Sequence, residues 1–329
     1  VACTPAMVGQ LTRRLAALGT TTFLPTIITG PLARTLASLA VVAEARRVDA
    51  MVHHAVPFVH LEGPHISPND GYRGAHPVDD VRPPSMEEFD RLQSRSGGLI
   101  GMVTLSPHWA TSTEFIRGLT ARGILVSLGH THGSREQIEA AVDAGARLST
   151  HLGNGIAATL ARHTNPIWAQ LADDRLMACL IADGVHLPAE VLRVMLRAKG
   201  LERTVLVSDS VALAGSPAGE YTTPIGGTVV VGSDGSIRMR DLGLLAGSGI
   251  ALRDAVARAV SLAGIPLADS IRMATSNPGR FAGGCGCLQT GAVADLFTFR
   301  WTPGDRTLHI QDVYVRGTRI AEQPEARGV

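Results

Sequence analysis

His130 and His151 each close a short apolar run: Ile124 to Leu128 leads into Gly129-His130, and Ala146 to Thr150 leads into His151. The segment between them reads as a helix. Ser134 and Gln137 have capping-box spacing, Ile138, Ala141 and Val142 share one face, and Gly145 stops the helix. A strand, helix and strand joined this way make a right-handed parallel crossover, which brings both strand exits to one side of a sheet. Two imidazoles then face one space, a geometry that suits a metal or a catalytic centre. Either histidine alone reads more readily as an ordinary strand-end residue than as a ligand. The matched positions are what point to chemistry.

Further exits extend the pattern. Val56 to His60 runs into Leu61-Glu62-Gly63-Pro64, Leu176 to Ala182 into Asp183-Gly184-Val185-His186, and Thr204 to Val207 into Ser208-Asp209-Ser210. Glu62 with neutral His130 and His151 makes an open Zn²⁺-type donor set, because three protein ligands leave a position for water. A metal there lowers the pKa of that water and polarises a carbonyl. Asp209, a separate carboxylate, suits a general base that takes the water proton and returns it to the leaving group. A helix cap is its alternative.

The positioning elements alternate. Helices are expected over 5–18, 31–48, 86–95, 111–122, 165–171 and 188–199, and strands over 20–24, 56–60, 99–105, 124–128, 146–150, 176–182 and 204–207. This rhythm predicts a (β/α) barrel or, failing that, a doubly wound sheet. In a barrel all the polar exits lie on the catalytic face. Residues 222–231 and 236–239 read as a hairpin turned at Asp234-Gly235. Helices follow around 249–263 and 267–275, then strands over 294–299, 307–315 and 318–321.

Composition narrows the function classes. With 45% apolar residues the chain can bury a large core, and a net charge of +1 with 4% aromatics gives no footprint for nucleic acid or an anionic membrane. Four irregularly spaced cysteines form no disulfide framework, and no membrane-length span or signal peptide is visible, so a cytoplasmic protein is expected. Cys285-Gly286-Cys287, in a Gly-rich loop, reads as solvated loop before metal or redox site.

The motifs His60-Leu-Glu-Gly-Pro64, Gly129-His130-Thr131, Thr150-His-Leu-Gly-Asn154, Ala182-Asp-Gly-Val-His186, Val207-Ser-Asp209 and Leu245-Ala-Gly-Ser248 occur in order. Together they resemble the N-acetylglucosamine-6-phosphate deacetylase family of the amidohydrolase superfamily, from about Gly19 to the C-terminus. The resemblance implies a TIM-like (β/α) barrel over 1–290, with a β-hairpin insertion at about 222–240, and a remnant of a small β-sandwich over 291–329. It implies a divalent metal, Zn²⁺ before Fe²⁺ or another ion, on Glu62, His130 and His151, with Asp209 as general base. His76, Asn154, Gly155 and His186 would meet the sugar, and Arg162 the phosphate, often across a homodimer interface. Without the family context, His76, His186 and Arg162 read as loop residues.

The chain departs from the family in two places. Where the family usually has His-Leu-Phe/Tyr-Asn-Ala-Met, this chain has Gly153 and Gly155, changes expected to loosen a substrate-facing turn. The family's earlier strand, ending Gly-Phe-Ile-Asp-x-His-x-His or a degenerate form of it, has no counterpart, and the chain starts at Val1. A longer natural protein is therefore expected, and the metal count stays open. The leading expectation is metal-dependent removal of the N-acetyl group of an amino sugar phosphate, N-acetylglucosamine 6-phosphate first. The alternatives are another N-acyl amino sugar, a cyclic amide or an N-acyl amino acid as substrate, or a non-catalytic sugar-binding relic.

Overall fold

Side chains of a parallel strand point alternately to its two faces, and this chain uses the alternation to build two different environments. The computed structural model describes residues 3–223 and 227–320. After α1 (Pro5–Ala17) come β1 (Thr26–Ile28), α2 (Leu32–Val48), α3 (Ala50–Ala55), β2 (Val59–Glu62), α4 (Met86–Arg95), β3 (Ile100–Leu105), α5 (Ser112–Thr120), β4 (Leu125–Leu128), α6 (Arg135–Asp143), β5 (Leu148–Ser149), α7 (Pro166–Ala172), β6 (Met177–Ile181), α8 (Ala189–Lys199) and β7 (Thr204–Val207). The seven strands form one parallel sheet in chain order, β1 to β7. The fold is thus the expected α/β, barrel-like one.

Outward residues such as Val59, Leu61, Val103, Leu105, Val126 and Leu128 pack against the surrounding helices. Inward residues change character with height. Met102, Leu148, Met177, Cys179 and Val205 fill an apolar floor. Above it lies a buried polar layer. His60 Nε2 meets Thr104 Oγ1 at 2.7 Å, and the Thr150 hydroxyl meets those of Thr104 and Ser127 at 2.6 Å each. The strand exits carrying the candidate site open above this layer.

Several expectations are corrected. Residues 20–24 do not form the first strand. The Phe23 amide bonds to the Ala55 carbonyl, and sheet pairing starts only past Pro25, with Thr26 opposite His60. The single strand expected over 222–231 is two, β8 (Gly219–Thr223) and β9 (Gly227–Val231), which pair with β10 (Ile237–Met239) in an antiparallel sheet. The turn at Asp234-Gly235 is present, with the Gly232 amide donating to the Ser236 carbonyl. Asp49 caps α3, a short helix absent from the sequence reading, by accepting from the Met51 and Val52 amides. The capping box of α6 stands as expected. After α9 (Leu252–Ala263), α10 (Leu267–Ala274) and α11 (Ser276–Gly279), a second antiparallel sheet is made of β11 (Leu296–Arg300), β12 (His309–Val315) and β13 (Thr318–Arg319). Ala321, expected in the last strand, lies outside the described residues. Among the described residues no helix is long and apolar enough to cross a membrane.

One buried charge ties the C-terminal ends of two helices together, on the side of the sheet opposite the strand exits. Lys199, fully buried at the end of α8, donates to the carbonyls of Gln170 and Asp173 at the C-terminal end of α7, both at 2.8 Å. Burial pushes its ammonium down to about 8. Lys199→Met keeps the bulk but takes the ammonium donor from both carbonyls, leaving that of Asp173 to the Leu176 amide. It should cost about 1–3 kcal/mol, read as a lowered midpoint of thermal unfolding.

Candidate metal centre and active site

Glu62 ends β2, and His130 and His151 follow β4 and β5. Parallel register sets Leu128 beside Ser149 and carries both histidines to the same side. Both then turn through the left-handed region, His130 at φ 48° and His151 at φ 28°, as does Asp209 at φ 49° beyond β7. Non-glycine residues rarely adopt such angles, and backbone strain of this kind gathers at functional sites. Here it turns the side chains from the strand path into one space.

The three donor atoms form a small triangle. Glu62 Oε1 lies 3.1 Å from His130 Nε2 and 3.0 Å from His151 Nε2, and the two nitrogens are 3.1 Å apart. All three residues are buried. Among the described residues this is the one group of three or more His, Cys, Asp or Glu whose donors converge in this way. His130 Nδ1 donates to the Tyr72 carbonyl at 2.9 Å, so in the neutral ring the Nε2 lone pair faces the triangle. Four-coordinate Zn²⁺ with bonds of about 2.0–2.1 Å spreads its ligands by roughly 3.3 Å. An outward movement of a few tenths of an ångström would therefore admit such an ion, and the donor chemistry fits it.

Electrostatics separates the two carboxylates. Burial alone would raise Glu62, but the imidazoles of His130 and His151 against its Oε1 hold it well below its ordinary range. Burial raises Asp209, and the nearby charge of Glu62 adds to this, against the opposing pull of His151 and His186. One carboxylate stays ionised as a donor while the other is better matched to accepting a proton. The Asp209 backbone is pinned as well, its carbonyl accepting from the Ser248 amide at 2.8 Å.

His76 joins the cluster. It is buried, its Nε2 stands 4.0 Å from Glu62 Oε1, and its ring meets that of His130 edge-on with centroids 4.4 Å apart. Burial, with His130 beside it, pushes its imidazole down to about 3. His186 is held by Asp183, whose Oδ2 accepts from Nδ1 at 2.7 Å and from Ser248 Oγ at 3.2 Å, while Oδ1 accepts the Val185 and His186 amides. Asp183 carried no role in the sequence reading, although its place three residues before His186 is a detectable signal. Asn154 folds back on His151, its amide donating to the His151 carbonyl.

The glycine reading is corrected. A Cβ at Gly155 would fall 2.5 Å from His130 Nδ1, and one at Gly153 would meet Met195 Cε at 2.9 Å and Leu187 Cδ2 at 3.0 Å. Neighbouring side chains already fill both spaces, so the turn is filled rather than loosened. Arg162 is not brought to the cluster. It lies exposed on the loop before α7, and among the described residues its side chain makes no hydrogen bond or ion pair. The four cysteines are free.

Residues 7–320 match the amidohydrolase family, and the chain therefore belongs to that family of metal-dependent hydrolases. It is 33% identical to the N-acetylgalactosamine-6-phosphate deacetylase of Escherichia coli O157:H7, over 95% of this chain and 81% of that protein. It is also 33% identical to the N-acetylglucosamine-6-phosphate deacetylase of Bos taurus, over 97% of this chain and 78% of that one. The solved N-acetyl-D-glucosamine-6-phosphate deacetylase of Mycobacterium smegmatis superposes with a TM-score of 0.86 at 28% identity, covering 97% of this chain and 82% of that chain. An aspartate-to-alanine variant of that protein is solved in complex with N-acetyl-D-glucosamine-6-phosphate. Within the family, this chain is an enzyme of the N-acetylglucosamine-6-phosphate deacetylase type.

The triangle has a consequence for pH. Burial would lower His151, but the hydrogen bond and charge of Glu62, with Asp209, raise it from 6.5 to about 9. A raised value means that, in metal-free protein, this pair's contribution to stability is complete below about pH 6.5 and is lost as pH climbs through about 9. Metal must displace that proton, so its apparent affinity should rise over the same interval. Thermal unfolding across this range, with chelator or with Zn²⁺, should show the metal-free midpoint falling and the gap to the loaded protein widening. A flat metal-free midpoint would contradict the assignment.

Proposed function

We propose that this chain hydrolyses the N-acetyl group of an N-acetylhexosamine 6-phosphate, N-acetylglucosamine 6-phosphate first, releasing acetate and the free amine. The observation that carries the proposal is the buried triangle of Glu62, His130 and His151 with Asp209 facing it. Those three residues would hold one divalent ion, Zn²⁺ before Fe²⁺ on the strength of the two-nitrogen, one-oxygen donor set. When bound, the ion polarises the acetamide carbonyl and acidifies water, both useful against a poor electrophile.

The chain's own groups do the rest. Asp209 accepts the proton of the attacking water and hands it to the departing amine nitrogen. Its raised pKa brings it closer to the pH at which both transfers occur. Asp183 fixes the ring of His186 at the sugar. His76, with Asn154 and Gly155 beside the ligand histidines, lines the substrate space. Arg162 would pair with the phosphate through two guanidinium N–H groups. Its exposure and lack of a partner among the described residues support a role across the interface of a homodimer. The free cysteines fit a reducing cytoplasm.

A second sugar has its own support, since the Escherichia coli relative is named for N-acetylgalactosamine 6-phosphate. Turnover of both sugar phosphates and of unphosphorylated N-acetylglucosamine separates these readings. Asp209→Asn should keep its metal and lose about 10²–10⁴-fold in kcat. Metal retained with full turnover would remove Asp209 from the mechanism. Arg162→Ala should raise KM for the phosphorylated sugar with little change in kcat, the signature of lost uniform binding. An equal effect on the unphosphorylated sugar would separate Arg162 from the phosphate.

A further inference from the structure

The exit of β1 carries Thr29, a residue outside the metal and base set. It is 1% exposed, and its Oγ1 lies 2.8 Å from His76 Nδ1. This is the one hydrogen bond of that hydroxyl among the described residues. The space it occupies is cleared for it, because a Cβ on Gly63 would fall 2.2 Å from Thr29 Oγ1. Gly63, at φ 78°, follows Glu62 directly, so the residue after a metal-site donor is bare where the Thr29 hydroxyl sits.

Both ends of the His76 ring favour one arrangement of its proton. If Nδ1 carried the hydrogen, the Thr29 hydroxyl would accept and leave its own buried hydrogen without an acceptor, a costly state. Nε2 would then turn a lone pair toward the Glu62 carboxylate, 4.0 Å away. With the roles reversed, Thr29 O–H donates to Nδ1, and Nε2–H points into the space beside Glu62. We propose that Thr29 is a positioning residue that locks neutral His76 as the Nε2–H tautomer, so that His76 offers a hydrogen-bond donor, not an acceptor, to a substrate oxygen. The part concerning substrate rests on the function proposed above; the tautomer does not.

Imidazole ¹⁵N shifts of the metal-loaded protein read the tautomer directly, with His76 assigned by the signal lost in His76→Gln. Wild type and Thr29→Ser should show a bare Nδ1 and a protonated Nε2, whereas Thr29→Val should shift toward the other form or a mixture. With metal content equal to wild type, Thr29→Val should lose about 10²-fold in kcat, and Thr29→Ser should recover most of it. A protonated Nδ1 in wild type would overturn the proposal. So would a Thr29→Val protein with unchanged tautomer and turnover, or one whose loss of rate follows loss of metal. If Thr29→Val does not fold, the wild-type and Thr29→Ser spectra still decide. If wild type hydrolyses neither sugar phosphate, the function reading fails while the tautomer remains measurable.

Discussion

A single carboxylate oxygen, Glu62 Oε1, sits within 3.1 Å of two imidazole nitrogens that are themselves 3.1 Å apart. Three donor atoms so close and so buried repel one another unless a proton or a cation lies among them. The structure around them serves to hold this crowded state. Parallel register brings the strand exits level, left-handed turns at His130 and His151 aim the rings inward, and the Tyr72 carbonyl settles which nitrogen of His130 keeps its hydrogen. The hydroxyl layer of Thr104, Ser127 and Thr150 fixes β3, β4 and β5 against one another just beneath. This is a device for precision, since the neighbours of each ligand are themselves restrained.

The same arrangement gives two carboxylates two characters. Glu62 is surrounded by imidazoles and stays charged. Asp209 keeps some surface open at the mouth, yet its carboxyl sits deep enough for burial and the charge of Glu62 to raise it. Their different environments, not their identities, divide the roles. Asp183 is a third case: it accepts from two backbone amides, Ser248 and His186, and acts by orienting its neighbours.

Much of this was legible in the chain itself. Glu62, His130, His151 and Asp209 each follow an apolar run, and period-two burial along parallel strands forces such exits together whatever the loops do. The capping box at Ser134 marked the helix between the two histidines. What escaped the sequence reading depends on long-range placement. Tyr72 acts through its backbone carbonyl, which any residue type supplies. Thr29 matters because a loop returns His76 to it from far along the chain. Gly153 and Gly155 read as vacated space, whereas Met195, Leu187 and His130 fill it. The first strand was misplaced because β-branched residues before Pro25 resemble a strand, while their amides bond outside the sheet.

The left-handed backbone at His130, His151 and Asp209 also bears on how such a chain can drift over generations. At those angles a β-branched or bulky replacement strains the turn, whereas glycine or asparagine settles there with ease. The substitutions the backbone accepts most readily are therefore ones that erase the chemistry while sparing the architecture. A lineage released from selection on catalysis would first yield folded, silent barrels rather than misfolded ones. Such descendants would keep the strand order and the apolar floor long after the centre had gone.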